Sequence, residues 1–392
     1  RLMCADTLTL RVEKLSSNGE GIAFSEGKAV FLPFAIPGET ALAEIIEEHS
    51  SFSRARLIDI EESSPYRVEP FCPHFGDCGG CTLQHIGYEY QALLKKQAAQ
   101  GTFIRIGGFD PGELQIITGE SYHYRNRAQI HACGDGGLGF AKTGSHESVR
   151  ASHCPALVPI IERWLISENR KAHPYRALSA LIGDRPRFVV FGQEDRLYIE
   201  GRDGFVKAKV AGKEFKFPLA SFFQSNISML EKLIEREVAP LKGKRALDLY
   251  CGAGLFSLFL AERFEAIDCV ESEAASLEAA RMNLESTKAK IEFSCTTVEH
   301  WTEKAPTDLS FDYIVADPPR TGIAPQVRTW LSFVDAPALL YISCDLASLA
   351  RDLRDLFQKG WQLENMTLYD FYPQTGRLEA AVHLKKEAKH DP

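Results

Sequence analysis

Apolar and polar residues alternate in short runs through the start of the chain, at residues 8–12, 21–24, 29–32, 42–46 and 55–60, with Gly, Pro and Ser between the runs. A period of two broken by turn residues predicts strands, and five short ones predict a small OB-like β-barrel. The polar stretch Glu61, Glu62, Ser63, Ser64 ends at Pro65, which continues neither a helix nor a ladder, so a boundary is expected there. Leu83, Ile86, Tyr90, Leu93 and Leu94 then recur at helical spacing. Residues 122–217 mix short strands, glycine turns and one helical stretch at 159–167, read as α+β. From residue 241 the pattern changes again. Apolar runs at 245–250, 267–270, 313–316 and 338–342 alternate with amphipathic stretches at 255–264, 274–284 and 346–357, as in a parallel, doubly wound α/β sheet, and a last strand is expected at 380–384. The chain therefore divides into three units, over residues 1–62, 66–217 and 218–392.

A length of 392 residues fits that division. No apolar run approaches the roughly 20 residues needed to cross a bilayer, and the first residues lack the apolar core of a secretory signal, so a cytoplasmic monomer without membrane contact is expected. The formal charge of −8 is not that of a nucleic-acid binder as a whole. It is unevenly spread, however. Residues 121–220 hold 16 Lys and Arg against 10 Asp and Glu, a local +6, whereas residues 1–62 hold 6 against 11. The middle stretch, with Arg125, Arg127, Lys142 and Arg150, is therefore the expected place for a polyanion to dock.

Gly252 and Gly254, in the segment from Asp248 to Gly254, sit where a strand hands over to a helix and permit a tight turn close to a ligand. Glu271 ends the next strand, 17 residues beyond Gly254, where a carboxylate can accept both ribose hydroxyls. No third glycine follows at the phosphate-binding spacing, which favours a nucleoside without phosphates, S-adenosylmethionine, over a dinucleotide. Asp317 precedes Pro318, Pro319 and Arg320 at the carboxyl edge of another strand, and Cys344 follows a third, where a helix N-terminus is expected to lower its thiol pKa. Glu379 opens the last strand. Ten cysteines in such a chain point to packing, metal ligation or catalysis more than to disulfides; Cys72, Cys78 and Cys81 cluster on one glycine-rich loop, in the spacing C-x5-C-x2-C. The loop supplies three thiolates and a fourth must come from elsewhere; four sulfurs would suit an iron-sulfur cluster or zinc equally.

These motifs resemble, over nearly the whole chain, the family of RNA uracil-5-methyltransferases that use S-adenosylmethionine and carry an N-terminal TRAM barrel and a 4Fe-4S cluster. The likeness runs through Gly19, Glu20 and Gly21, through Pro37, Gly38 and Glu39, and through Cys72 to Cys81 followed by Gln84 and His85. It continues in Phe222 to Asn226, Asp248 to Gly254, Glu271, Asp317 to Arg320, Ser343 and Cys344, and Phe371 to Glu379. The resemblance implies a Rossmann-like class I methyltransferase domain behind the barrel and a central iron-sulfur, RNA-binding domain. It implies that Gln224, Tyr250, Glu271 and Asp317 contact the methyl donor or target base, that Cys344 is the nucleophile and Glu379 the base, and that Cys154 completes the cluster with Cys72, Cys78 and Cys81. The substrate it implies is rRNA or tRNA. Carbon 5 of uracil is a weak nucleophile until a thiolate adds at carbon 6, and the carbon 5 proton must later leave, so a cysteine and a carboxylate suit the chemistry. An RNA cytosine-5 methyltransferase and a non-catalytic RNA-binding scaffold are the alternatives. Arg377 stands where the family usually has His, and a cation there would favour ionised Glu379.

Overall fold

The computed structural model describes residues 7–306 and 308–386, so Cys4 lies outside the described residues. Strands β1 (Thr7–Leu15), β2 (Gly21–Ser25), β3 (Lys28–Leu32), β4 (Thr40–Glu48) and β5 (Phe52–Glu62) close into a barrel in the order β1-β2-β3-β5-β4. Its inward positions are mostly small or branched, with Leu10, Val12, Ala23, Val30, Ala41, Ala43 and Ala55 all buried, as a narrow lumen requires. Glu39, fully buried, fastens the barrel to the segment after β5. It accepts from the Ile36 and Ser64 amides at 2.8 and 3.1 Å and from two Arg67 nitrogens at 2.7 Å each. Burial alone would raise its pKa, but Arg67 and those amides outweigh it and hold the carboxyl below its ordinary range.

The cysteine loop leads into α1 (Tyr88–Thr102) and, past a turn, β6 (Gln115–Ile117). Then β7 (Arg127–Ala132), β8 (Leu138–Ala141), β9 (Ser148–Arg150), α2 (Pro159–Asn169), α3 (Pro174–Ile182), β10 (Arg187–Gln193) and β11 (Arg196–Ile199) form a sheet of order β11-β10-β7-β8-β9. Ile161, Leu165 and Leu178 from the two helices cover it by packing on Ile130, Phe188 and Val190. A hairpin of β12 (Phe205–Val210) and β13 (Lys213–Pro218) comes next.

The remainder is the alternating unit: α4 (Ile227–Leu233), β14 (Gly243–Leu249), α5 (Leu255–Leu260), β15 (Phe264–Glu271), α6 (Ala274–Leu284), β16 (Lys290–Cys295), α7 (Val298–Lys304), β17 (Tyr313–Ala316), α8 (Pro325–Phe333), β18 (Ala338–Ser343), α9 (Leu346–Gln358), β19 (Trp361–Tyr369) and β20 (Glu379–Lys386). Its sheet runs β16-β15-β14-β17-β18-β20-β19-β6, parallel from β16 to β18, with β20 antiparallel to both neighbours. Apolar cores fill both faces.

Two features differ from the sequence reading. The helix expected over 255–264 stops at Leu260, and Phe264 begins β15, paired with Gly243; only Glu262 and Arg263 stand between the apolar run 258–261 and Phe264, too short an interruption for periodicity to separate a helix end from a strand start. Residues 88–117, read within the middle unit 66–217, pack instead on the eight-stranded sheet. β6 pairs with β19, and Ala99, Phe103 and Leu114 join the core that holds Leu349 and Leu353 of α9. The hairpin β12–β13 likewise buries Val206, Phe215 and Phe217 against the catalytic unit, held by Asn283 hydrogen bonds to the Lys216 backbone at 2.9 and 2.7 Å.

Candidate active site

The chain reverses its winding between β14 and β17, and the ends of β14, β15, β17 and β18, together with the start of β20, share one edge of the sheet. That reversal opens the crevice in which α/β sheets bind ligands. Tyr250, Gly252, Glu271, Asp317, Cys344 and Glu379 all stand there, so the topology brings these six residues read from the sequence together. After β14 the chain turns through Tyr250 at φ 62°, Gly252 at 55° and Gly254 at 79°. A side chain on Gly254 would strike Ala280 at 3.0 Å, whereas one on Gly252 would meet nothing within 4 Å. The first glycine therefore faces the open crevice and the second permits α5 to seat against α6. Tyr250 holds a left-handed conformation costly for a side-chain-bearing residue, as functional turns often do.

Glu271 closes the turn from the far side, accepting from the Gly252 amide at 3.0 Å and the Glu273 amide at 2.7 Å. Asp248, fully buried behind it, accepts from the Ser257 amide at 3.1 Å. Burial, aided by the charge of Glu271, pushes its pKa up to about 7 against the pull of Ser257. Asp317 rises to about 7 as well, through burial and then Asp248. Glu379 is 1% exposed; burial and Asp317 raise it well above the carboxylate range, while Gln224 and Arg320 pull the other way. The cation acting on Glu379 is thus Arg320, and the exposed Arg377 leaves no such mark.

Cys344 departs from expectation. Its thiol is pushed up to about 11 by burial and by Glu379 and Asp317, with Arg320 only partly offsetting them. The N-terminus of α9 does not serve it, because Asp345 caps that helix by accepting from the Ser348 amide at 2.8 Å. The crevice also contains buried polar atoms without hydrogen-bond partners, namely Gln224 Oε1, Tyr250 OH, Asp248 Oδ1 and Glu379 Oε2. Orphaned polar atoms gathered in one place are what a polar ligand would satisfy.

Cys72, Cys78, Cys81 and Cys154 line one cavity together with Gln84 and Arg125. Burial pushes the Cys81 and Cys154 thiols up to about 11 and about 12, and the four sulfurs reinforce one another electrostatically. Among the described residues no three His, Cys, Asp or Glu side chains stand close enough to hold a metal ion. What the fold gathers is four thiols around one cavity. Of the four expected RNA-docking cations, Lys142 pairs with Glu147 at 2.8 Å, Arg150 lies 3.4 Å from Asp135, and Arg127 donates to the Ser221 carbonyl at 3.0 Å. Arg125 acts instead in concert with Arg320 and Arg377 around Tyr372, beside Cys344.

Residues that sequence reasoning missed hold the loop carrying Glu379. Lys95 Nζ binds Asp370 Oδ1 at 2.7 Å, with both side chains fully buried, and Gln91 reaches Gln374 at 2.8 Å. The Thr82 and Leu83 amides both donate to the Gln374 carbonyl at 2.9 Å, and Tyr124 OH donates to the Pro373 carbonyl at 2.9 Å. The only local signal was polar residues within a helix.

This sheet order, with a glycine turn after its first strand and a carboxylate ending its second, defines a class I S-adenosylmethionine-dependent methyltransferase. Residues 195–387 match the family model described as tRNA (Uracil-5-)-methyltransferase, and residues 2–58 match that of the TRAM domain. A 23S rRNA (uracil(1939)-C(5))-methyltransferase RlmD of Vibrio parahaemolyticus is 30% identical, across 96% of this chain and 95% of its own. Its counterpart from Yersinia enterocolitica is also 30% identical, across 99% and 97%. A crystal structure of Pyrococcus abyssi tRNA (uracil-54, C5)-methyltransferase in complex with S-adenosyl-L-homocysteine superposes with a TM-score of 0.73 at 22% identity, covering 96% of this chain and 99% of that one, and so shares the fold. The chain belongs to the family of RNA uracil-C5 methyltransferases: it methylates carbon 5 of uracil in RNA with S-adenosylmethionine as donor. Among the described residues no helix is long and apolar enough to cross a membrane.

Proposed function

We propose that the enzyme modifies a uridine of large-subunit ribosomal RNA. The observation that carries this substrate is the match, along almost their full lengths, to relatives named for 23S rRNA. In this reading Cys344 adds to carbon 6 of the target uracil, and the displaced π electrons make carbon 5 nucleophilic. S-adenosylmethionine, when bound, supplies an electrophilic methyl group and a positive charge. Gln224, Tyr250, Gly252, Gly254, Glu271 and Asp317 hold donor and base, which accounts for the unpartnered polar atoms of the crevice. Glu379 then takes the carbon 5 proton; the released electron pair re-forms the carbon 5–carbon 6 double bond and expels the Cys344 thiolate. Burial makes Glu379 a stronger base than an exposed carboxylate, which suits that step. Arg125, Arg320 and Arg377 form a cationic approach for RNA.

Cys72, Cys78, Cys81 and Cys154 fit a 4Fe-4S cluster. Four thiols around one cavity supply the all-sulfur ligand set that such a cluster would take. The raised thiol pKa values mean that binding such a group would release protons. Its role in this reading is structural, holding the loop at 72–81 to the segment that carries Cys154. The substrate is tested by mapping 5-methyluridine in RNA from cells with and without the gene. Loss from a single 23S rRNA position is expected, and loss from tRNA with intact rRNA would overturn the assignment.

A further inference from the structure

We propose that Tyr88, Gln91 and Lys95 are positioning residues for proton abstraction, acting on Glu379 through the loop that precedes it. These residues lie at i, i+3 and i+7 on α1 and therefore share one helix face. A buried stripe at that spacing is normally apolar. Here each polar group is directed at residues 370–377. Tyr88 OH donates to Asp370 Oδ2 at 3.1 Å, and Lys95 Nζ reaches Asp370 Oδ1 at 2.7 Å, the Tyr372 carbonyl at 3.1 Å and the Arg377 carbonyl at 3.5 Å. Gln91, fully buried, donates to Gln374 Oε1 at 2.8 Å and accepts from the Gln374 amide at 3.2 Å, while its amide nitrogen also lies 3.0 Å from the Leu83 carbonyl and 2.8 Å from that of Ile86.

The loop so gripped is not self-supporting. Gln374 sits at φ 68°, a conformation that needs outside contacts to persist. Glu379 is the first residue of β20, a few positions beyond the last carbonyl held by Lys95. Lys95 fixes the loop at both ends and Gln91 at its middle, tying it to the segment that follows Cys81. The stripe touches neither Cys344 nor the glycine turn, so its loss should fall on the step that needs Glu379 in place.

The inference rests on Glu379 being the base, and the experiment separates the two. Single-turnover reactions with methyl-labelled S-adenosylmethionine and target RNA are followed on denaturing gels, which resolve covalent protein–RNA adduct from released methylated RNA. Glu379→Gln should trap labelled adduct; if it releases product at the parental rate, the base assignment fails. Lys95→Met paired with Asp370→Asn removes both buried charges, so neither is stranded, and Tyr88→Phe deletes one oxygen from a half-buried position. In the paired variant adduct should form at near-parental rate while release slows by roughly 10- to 100-fold, the usual result of an ångström-scale misplacement. For Tyr88→Phe a few-fold slowing is expected, with donor affinity unchanged in both. If Glu379→Gln traps adduct while these variants partition as the parent does, or if formation and release fall by one factor together with the melting temperature, the stripe is structural only and the proposal fails.

Discussion

If Asp317 holds the donor as proposed, it connects the electrostatics of the crevice to donor binding. Burial and then Asp248 push its pKa up to about 7, so a sizeable share of it is expected to carry a proton at neutral pH before a donor binds. A sulfonium cation beside it favours the carboxylate, so binding should draw the pKa back toward the ordinary range and release a proton. If only the ionised form binds, affinity scales inversely with 1 + 10^(pKa − pH), which predicts about tenfold tighter binding at pH 8 than at pH 6, or about 1.4 kcal/mol. At pH 7 about half a proton should leave per donor bound. Calorimetry in two buffers of different ionisation enthalpy measures both quantities. Asp317→Asn should bind more weakly at pH 8 and lose the slope. An affinity flat from pH 6 to 8, or a slope that survives the substitution, would refute the reasoning. The same groups set the sign for stability. For Asp248 and Asp317 the folded-state pKa lies above the unfolded value of 3.8, so their contribution is fully present below pH 4 and is lost as pH rises through about 7. Because the donor binds ionised Asp317 in this reasoning, it should stabilise the enzyme more at pH 8 than at pH 6 in thermal melts.

Three further outcomes are expected. Cys344→Ala should bind donor and RNA yet form no adduct and transfer no methyl group, and residual methylation would end the thiolate mechanism. Cys154→Ser should lower iron and sulfide content, bleach the visible absorption and reduce the melting temperature, whereas a colourless parent holding one zinc would overturn the cluster. Gly376→Ala should cost about 1–3 kcal/mol by overpacking, because its new methyl would overlap the Gly19 amide in the barrel's first turn; chemical denaturation would measure it, and an unchanged stability would mean that the barrel does not press on the catalytic loop.

The order of local patterns in this chain determined a great deal without any tertiary information. Period-two runs fixed the barrel strands, and alternation of strands with helices fixed the class of the catalytic sheet. That class in turn brought Gly252, Glu271, Asp317 and Cys344 to one edge, because the carboxyl ends of parallel strands share it. Their placement was legible because each ends its own strand or follows it within three residues. Only the folded chain decided what depends on burial and on contacts distant in sequence. The thiol of Cys344 is raised because Glu379 and Asp317 share its dry surroundings. β6, three residues long, is too short to carry a period and exists because β19 offers it an edge. Lys95 and Asp370, 275 positions apart, look like ordinary surface charges until the fold buries them together. Sequence periodicity reports which face of an element meets a core, but the partner across that core is set by packing, and packing positions the base.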